Sequence, residues 1–219
     1  MVDPKRIVAA GYDRIAARHA AWATQTRAEE RARYTALLLE TLPEGADVLE
    51  LGCGDGGPTT CALADRFRLT GVDLSAEQIA RAREHVPHAT FIHADMTALR
   101  LAPASFDAVA AFYSIIHVPR TEQPALLGQI GGWLRPDGLL AASFGARDNP
   151  ADFADDWLGA PMYWSGYDAA TNWHLVEAAG LLIERAQMET ADEDGAPITF
   201  LWIVARKPDG VHGERGIAP

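Results

Sequence analysis

Cysteine is nearly absent: the 219 residues hold two, Cys53 and Cys61. That number gives no disulfide framework, and neither thiol has an activating neighbour in sequence, so a cysteine nucleophile is not expected. The chain also lacks C-x-x-C and H-E-x-x-H patterns and any cluster of acids at ligand spacing, so no metal is expected. Basic residues are outnumbered, 19 against 30 acidic, for a net charge of −11. A binder of nucleic-acid backbones needs a basic stripe, and here the arginines are scattered among acids. No window offers 18 apolar residues, and Arg6, Asp13, Arg14 and Arg18 interrupt the first apolar stretch. Neither a membrane span nor a secretory leader is expected from these residues, and a reducing cytoplasm suits the composition.

With 48% hydrophobic and 22% charged residues, the chain can build one substantial core. The alanine-rich stretch over 3–42 predicts one or two helices, stopped by "PEGA" at 43–46. Short apolar runs then alternate with helical segments. Strands are predicted at "DVLELG" (47–52), "LTGVDL" (69–74), "ATFIHADM" (89–96), Ala108–Tyr113 and "LLAASFG" (139–145), with "RPDG" as a turn before the last. Between them lie helices such as "SAEQIARAREHV", capped by Ser75. Strand–helix alternation with apolar strands predicts an α/β, doubly wound, mostly parallel sheet with helices on both faces. After a further helix ending at Gly180, "LLIERAQMET" and "ITFLWIVARKP" predict an antiparallel hairpin, its acids Glu189, Asp192, Glu193 and Asp194 forming a solvated rim. One domain over 1–207 is expected, with a helical cap near 1–42, a lid near 147–168 and a flexible tail over 208–219.

The chemistry starts at "VLELGCGDGG". Gly52, Gly54 and Gly57 give G-x-G-x-x-G between a strand and a helix, and Asp73 follows at the end of the next strand. Glycines let a backbone approach a ligand closely, and a carboxylate there can accept from two ribose hydroxyls. These features imply a ribose-bearing ligand; on the fingerprint alone it would be a nicotinamide or flavin dinucleotide.

Further motifs separate the candidates. Over roughly residues 40–207 the chain resembles the class I, Rossmann-like S-adenosylmethionine-dependent methyltransferases. The resemblance rests on Glu50, Gly52 and Gly54 within "LELGCG", on "GVDLS", on "HADM", on "FDAVAAFYSIIHV" and on "LRPDGLL", in that order. It implies a seven-stranded sheet whose last strand inserts between the fifth and sixth. It implies S-adenosylmethionine as cofactor and S-adenosylhomocysteine as product. The loop with Cys53 would then hold the methionine moiety, with Glu50 facing its ammonium. Asp73 would take the ribose hydroxyls, Leu74 and Met96 would flank the adenine, and Asp95 would accept from its exocyclic amine. Phe112, Tyr113 and Ser114 would border the methionine moiety and the transferred methyl. "AAGYDRIAARHAAW" is similar to the small-molecule branch, in which Tyr12 reaches the methionine carboxylate.

The segment "DFADDWLGAPMYWSGYD" (152–168) concentrates Trp157, Met162, Tyr163, Trp164 and Tyr167 among glycine and proline, which predicts an aromatic lid. His19, Trp22 and Tyr34 are the candidates for the opposite wall. The expected partner is a small, partly aromatic or apolar molecule, not a nucleic acid or a membrane, and the chain acts as a monomer or homodimer. Asp152, Asp155 and Asp156 slightly favour a cationic or amine acceptor over a phosphorylated one. Transfer to oxygen or nitrogen needs alignment and removal of a proton, and His117, just after the fourth strand, is the candidate base or orienting residue, with Tyr113 as a second. The structural alternative for His117 is to pack at the pocket floor. His174 is a weaker candidate, facing inward beneath the lid. The functional alternatives are carbon methylation of a quinone-type ring, and a cyclase-like or non-catalytic adenosylmethionine-binding protein.

Overall fold

A computed structural model describes residues 3–193 and 195–209. Most of the expected tail, residues 210–219, and Asp194 of the expected acidic rim lie outside the described residues. The N-terminal stretch forms two helices, α1 (Pro4–Ala23) and α2 (Ala28–Thr41). Asp3 caps α1 through the Lys5 amide, with Pro4 in the first turn, where its missing N–H costs nothing. Then follow β1 (Asp47–Leu51), α3 (Pro58–Ala64), β2 (Arg68–Asp73), α4 (Ala76–His85), β3 (Thr90–His93), β4 (Phe106–Ala111), α5 (Gln123–Trp133) and β5 (Leu134–Gly145). The chain closes with β6 (Asn149–Trp157), β7 (Ala160–Gly166), α6 (Ala169–Ala178), β8 (Leu182–Glu193) and β9 (Ala196–Arg206).

Seven strands form one sheet in the order β3-β2-β1-β4-β5-β9-β8. The first five pair in parallel; β9 runs antiparallel to both β5 and β8 and lies between them, as the resemblance implied. Alternating side chains of the central strands feed two separate cores. Leu49, Val109, Leu140 and Ile203 meet α5 and α6, whereas Val48, Ala108, Leu139 and Trp202 meet α2, α3 and α4. Side chains of a strand point to opposite faces at each step, so continuous apolar runs require helices on both sides. The second core is anchored by Tyr34, whose ring stacks on Trp202 at 4.1 Å between centroids and 1° between planes.

Three local expectations change. Strand β4 ends at Ala111, not Tyr113, because Tyr113 takes a left-handed backbone (φ 56) and its N–H turns to the Ser143 hydroxyl at 2.6 Å. "RPDG" lies within β5: pairing with β4 jumps from Phe106↔Leu134 to Ala108↔Leu139, and Asp137 (φ 63) marks the bulge. The aromatic stretch is not irregular. It pairs as a two-stranded hairpin, β6 with β7, turned at Leu158 and Gly159, both with positive φ.

Replacing Trp202 by Ala removes a fully buried ring and its stacking partner. The expected loss is about 3–5 kcal/mol of unfolding free energy, read by denaturant titration, with Trp202→Phe recovering most of it.

Candidate functional site

The crevice opens at the carboxyl ends of β1 and β4, neighbours in the sheet where the strand order reverses, which is where open α/β sheets hold ligands. The loop after β1 is pinned there by Gly52 and Cys53 N–H bonds to the Val72 carbonyl, at 2.7 and 3.1 Å. Gly52 has φ +80, and a Cβ on it would lie 2.3 Å from the Ser114 Cβ, so no other residue fits. Of the sequence fingerprint, Gly57 (φ −66) is the residue before α3 and is not left-handed; Gly56 (φ +78), with Ala82 Cα 3.0 Å from its would-be Cβ, carries that constraint instead. Above Gly54 a Cβ would meet nothing within 4 Å, so this part of the backbone faces open space.

One cavity of about 1120 Å³ runs over this loop. Such a volume exceeds what a single nucleoside ligand needs and accommodates a donor and an acceptor together. Its lining includes every residue expected to hold the cofactor: Tyr12, Glu50, Gly52, Cys53, Gly54, Asp73, Leu74, Asp95, Met96, Phe112 and Tyr113. Asp73 accepts from Gly54 N–H and Ser75 N–H, both at 2.9 Å; burial raises its pKa, and these amides oppose the rise. Its two oxygens retain lone pairs for further donors. Glu50 is buried and its Oε2 has no hydrogen-bond partner. Burial, with the Asp73 charge added, pushes its pKa up to about 8 against the pull of Thr60. A buried, unpartnered carboxylate oxygen is costly unless a cationic group completes it. Ser114 Oγ and Tyr113 Oη are also buried without partners. The Cys53 thiol is driven up by burial and by Asp73 and Glu50, which leaves it inert as a nucleophile.

At the far end, Asp95 is already engaged. Oδ1 accepts from Thr97 N–H and Oγ1 at 2.9 and 2.8 Å, and Oδ2 pairs with Lys5 Nζ at 2.7 Å. Burial works against the Asp95 charge, but Lys5 and Thr97 hold its pKa below the usual carboxylate value. Lys5 also bonds Thr97 Oγ1 and Glu122. Sequence reasoning missed Lys5, which lies 90 residues from its partner.

His117 follows β4 in a short 3₁₀ turn, and both its ring nitrogens are taken. Nδ1 lies 2.8 Å from the Tyr163 carbonyl and Nε2 lies 2.9 Å from Tyr12 Oη. A carbonyl only accepts, so Nδ1 carries the proton and Nε2 accepts from the Tyr12 hydroxyl. Burial lowers the His117 pKa to about 4, opposed only by the Tyr163 bond. His117 is therefore neutral and holds Tyr12 in place; its lone pair does not face the cavity unpaired.

The acceptor end is walled by rings. Trp157 packs edge-on against Trp22 and Trp164 at 5.5 and 5.6 Å and touches His19 and Tyr12 at 5.9 and 6.0 Å. Several expected contributors are elsewhere. Tyr34 stacks in the core on Trp202 instead of forming the opposite wall. Met162 and Tyr163 are buried against α1. His174 is exposed beside Glu177 at 3.5 Å rather than facing inward. The hairpin acids are not simply solvated: Glu193 pairs with Arg27 and Glu189 with Arg33. Arg27 and Arg31, both in the cavity lining, were not singled out; their guanidinium carbons lie 5.7 and 5.3 Å from the Tyr113 ring centroid. Arg27 is the left-handed residue that caps the start of α2 and Arg31 lies in its first turn; only their four-residue spacing in sequence pointed to them. Among the described residues no helix is long and apolar enough to cross a membrane, and no three His, Cys, Asp or Glu side chains converge as metal ligands.

A glycine-turned β1 loop, an acid at the end of β2 and an inserted last strand make a Rossmann-like α/β fold, similar to a solved S-adenosylmethionine-dependent methyltransferase from Methanosarcina mazei, with a TM-score of 0.69, 18% identity, and 78% and 97% of the two chains covered. Residues 48–138 match the family model described as "Methyltransferase domain". It is 32% identical over 171 residues to 2-methyl-6-phytyl-1,4-hydroquinone methyltransferase of Synechocystis sp., covering 70% of this chain and 51% of that one. It is 28% identical over 184 residues to dTDP-3-amino-3,6-dideoxy-alpha-D-glucopyranose N,N-dimethyltransferase of Streptomyces fradiae, covering 83% and 66%. The chain thus spans between about half and two thirds of these curated relatives. In fold it is similar to N-methyltransferase NodS from Bradyrhizobium japonicum WM9, solved with S-adenosyl-L-homocysteine, with a TM-score of 0.68, 19% identity, and 90% and 99% of the two chains covered.

Glu50 offers a test by pH. Its raised folded pKa means that the folded chain keeps a proton that the unfolded chain releases, so the stabilisation is full below about 4.5 and fades as pH rises to about 8. The ligand-free Glu50→Gln variant, which cannot ionise, is expected to gain in melting temperature relative to the native chain between pH 5 and 8. Parallel curves would contradict the assignment.

Proposed function

We propose that the chain transfers a methyl group from S-adenosylmethionine to an oxygen or nitrogen of a small, partly aromatic molecule by direct displacement. The observation that carries this reading is the unpartnered Oε2 of buried Glu50, set beside the open Gly54 backbone and in one cavity with Asp73 and an aromatic chamber. S-adenosylmethionine, when bound, supplies a methyl carbon already activated by its sulfonium. Glu50 neutralises the ammonium of the amino-acid moiety, Asp73 accepts from the ribose hydroxyls, and Leu74 and Met96 pack on the adenine. Asp95 meets the exocyclic amine with the lone pairs that Lys5 and Thr97 leave. Tyr12, fixed by His117, closes the cleft over the donor. The aromatic walls orient the acceptor and exclude water, which is most of what such a displacement asks of a protein. The net charge of −11 and the absence of a basic stripe support a small acceptor over a polynucleotide, and no membrane partner is part of the reading.

A second reading, carbon methylation of a quinone-type ring, is favoured by the likeness to the hydroquinone methyltransferase. Carbon-13 NMR of the product separates the two, because a methyl on oxygen or nitrogen and a methyl on ring carbon resonate at clearly different shifts.

The donor is tested by calorimetric titration. S-adenosylhomocysteine is expected to bind and NAD to show no heat; the reverse would overturn the proposal. Tyr12→Phe and His117→Ala each remove the same hydrogen bond. Each is expected to weaken donor affinity about tenfold, and the double variant no further, whereas additive losses would show that the two residues act separately.

A further inference from the structure

Helix α1 lies along the cleft and presents Lys5, Tyr12 and His19 to it at seven-residue intervals, steps of about 10.5 Å. Lys5 marks the adenine end through Asp95, and Tyr12 the middle through His117. His19 therefore stands at the acceptor end. Its ring is held by three others: edge-on to Tyr12 at 5.0 Å, and tilted to Trp22 and Trp157, each at 5.9 Å. Unlike His117, it forms no hydrogen bond through its ring nitrogens among the described residues.

Building on the methyltransferase reading, we infer that His19, not His117, receives the proton of the acceptor, and that the acceptor is a planar aromatic carrying an O–H or N–H group. The ring walls supplied by α1 and by the β6–β7 hairpin fit a flat molecule, and His19 is the polar, unpaired group set among them. A lone pair of the acceptor's oxygen or nitrogen forms the new bond to the methyl carbon. As it does so, the bond from that carbon to the departing sulfur breaks with its electron pair left on sulfur. The acceptor's proton passes to the unprotonated nitrogen of His19, and the imidazolium returns it to water. The groups facing His19 favour that return: Tyr12 and Trp22 on its own helix and Trp157 on the hairpin bring no charge, while Arg31 on α2 is cationic and His117 is a second imidazole. Burial and these two neighbours lower its pKa to about 4, so it stands deprotonated at neutral pH yet accepts readily from a protonated ether or strongly acidified nucleophile.

The probes are 1-naphthol and 1-naphthylamine. Their binding to the S-adenosylhomocysteine-loaded protein is read by tryptophan fluorescence, and their methylation from S-adenosylmethionine by product mass. The native chain is expected to bind and methylate at least one of them at a rate flat between pH 6 and 8. His19→Ala and His19→Gln are expected to lower kcat about 10²- to 10⁴-fold with donor affinity unchanged. Their rates should rise with pH, and added imidazole should restore part of the loss in His19→Ala. A native kcat and flat profile in both variants would overturn the inference, as would donor binding without binding or methylation of either probe. No binding of S-adenosylhomocysteine at all would overturn the underlying methyltransferase reading instead.

Discussion

The carbonyl of Tyr163 decides what His117 can do. By accepting the Nδ1 proton it fixes the tautomer, leaves Nε2 as an acceptor, and so commits the imidazole to the Tyr12 hydroxyl. That short chain of two hydrogen bonds ties together three parts of the molecule that are remote in sequence: the N-terminal helix, the exit of the fourth strand and the β6–β7 hairpin. The helix is held at other points too, by Lys5 on Asp95, by Asp13 on the Ser75 hydroxyl at 2.6 Å and by Arg18 on the Leu158 carbonyl. The middle tie is the one buried in the chamber, where hydrogen bonds count for more than at the surface.

The sheet supplies the floor of the cavity. The reversal of strand order between β1 and β4 opens a crevice, and Gly52 against Ser114 sets how close its two banks come. The same closeness leaves Glu50 buried with an oxygen unpartnered. An isolated protein gains nothing from such a group, and the folded chain holds it protonated through most of the neutral range. A cationic ligand would reverse that balance, so the cost carried by the empty fold becomes affinity for a ligand of the right charge.

The fold was legible because the sheet's signals are local. "DVLEL", "LTGVD" and "LLAASFG" are apolar runs between glycine or charged residues, and they become strands buried on both faces. That Glu50, Asp73 and Asp95 would line one cavity was legible for the same reason, since each sits at or just past a strand's end. What escaped was non-local. Residues 149–157 carry three aspartates and a proline, a poor strand composition, and become a strand because β7 pairs with them. Arg27 reads as one charge among many before a helix until Glu193, far along the chain, covers it. His117 kept its place, and sequence left both its parts open because it cannot show that Tyr12 and Tyr163 arrive from opposite sides to take both nitrogens.

On the proposed reading, one ligand engages both the buried acid of β1 and the acid ending β2. A crystal structure with S-adenosylhomocysteine is the decisive test. The ligand's ammonium is expected within about 3 Å of Glu50 Oε2 and both ribose hydroxyls on Asp73, with the sulfur facing the chamber of Trp22 and Trp157. A ligand lying elsewhere, or one that leaves Glu50 Oε2 without a partner, would contradict it.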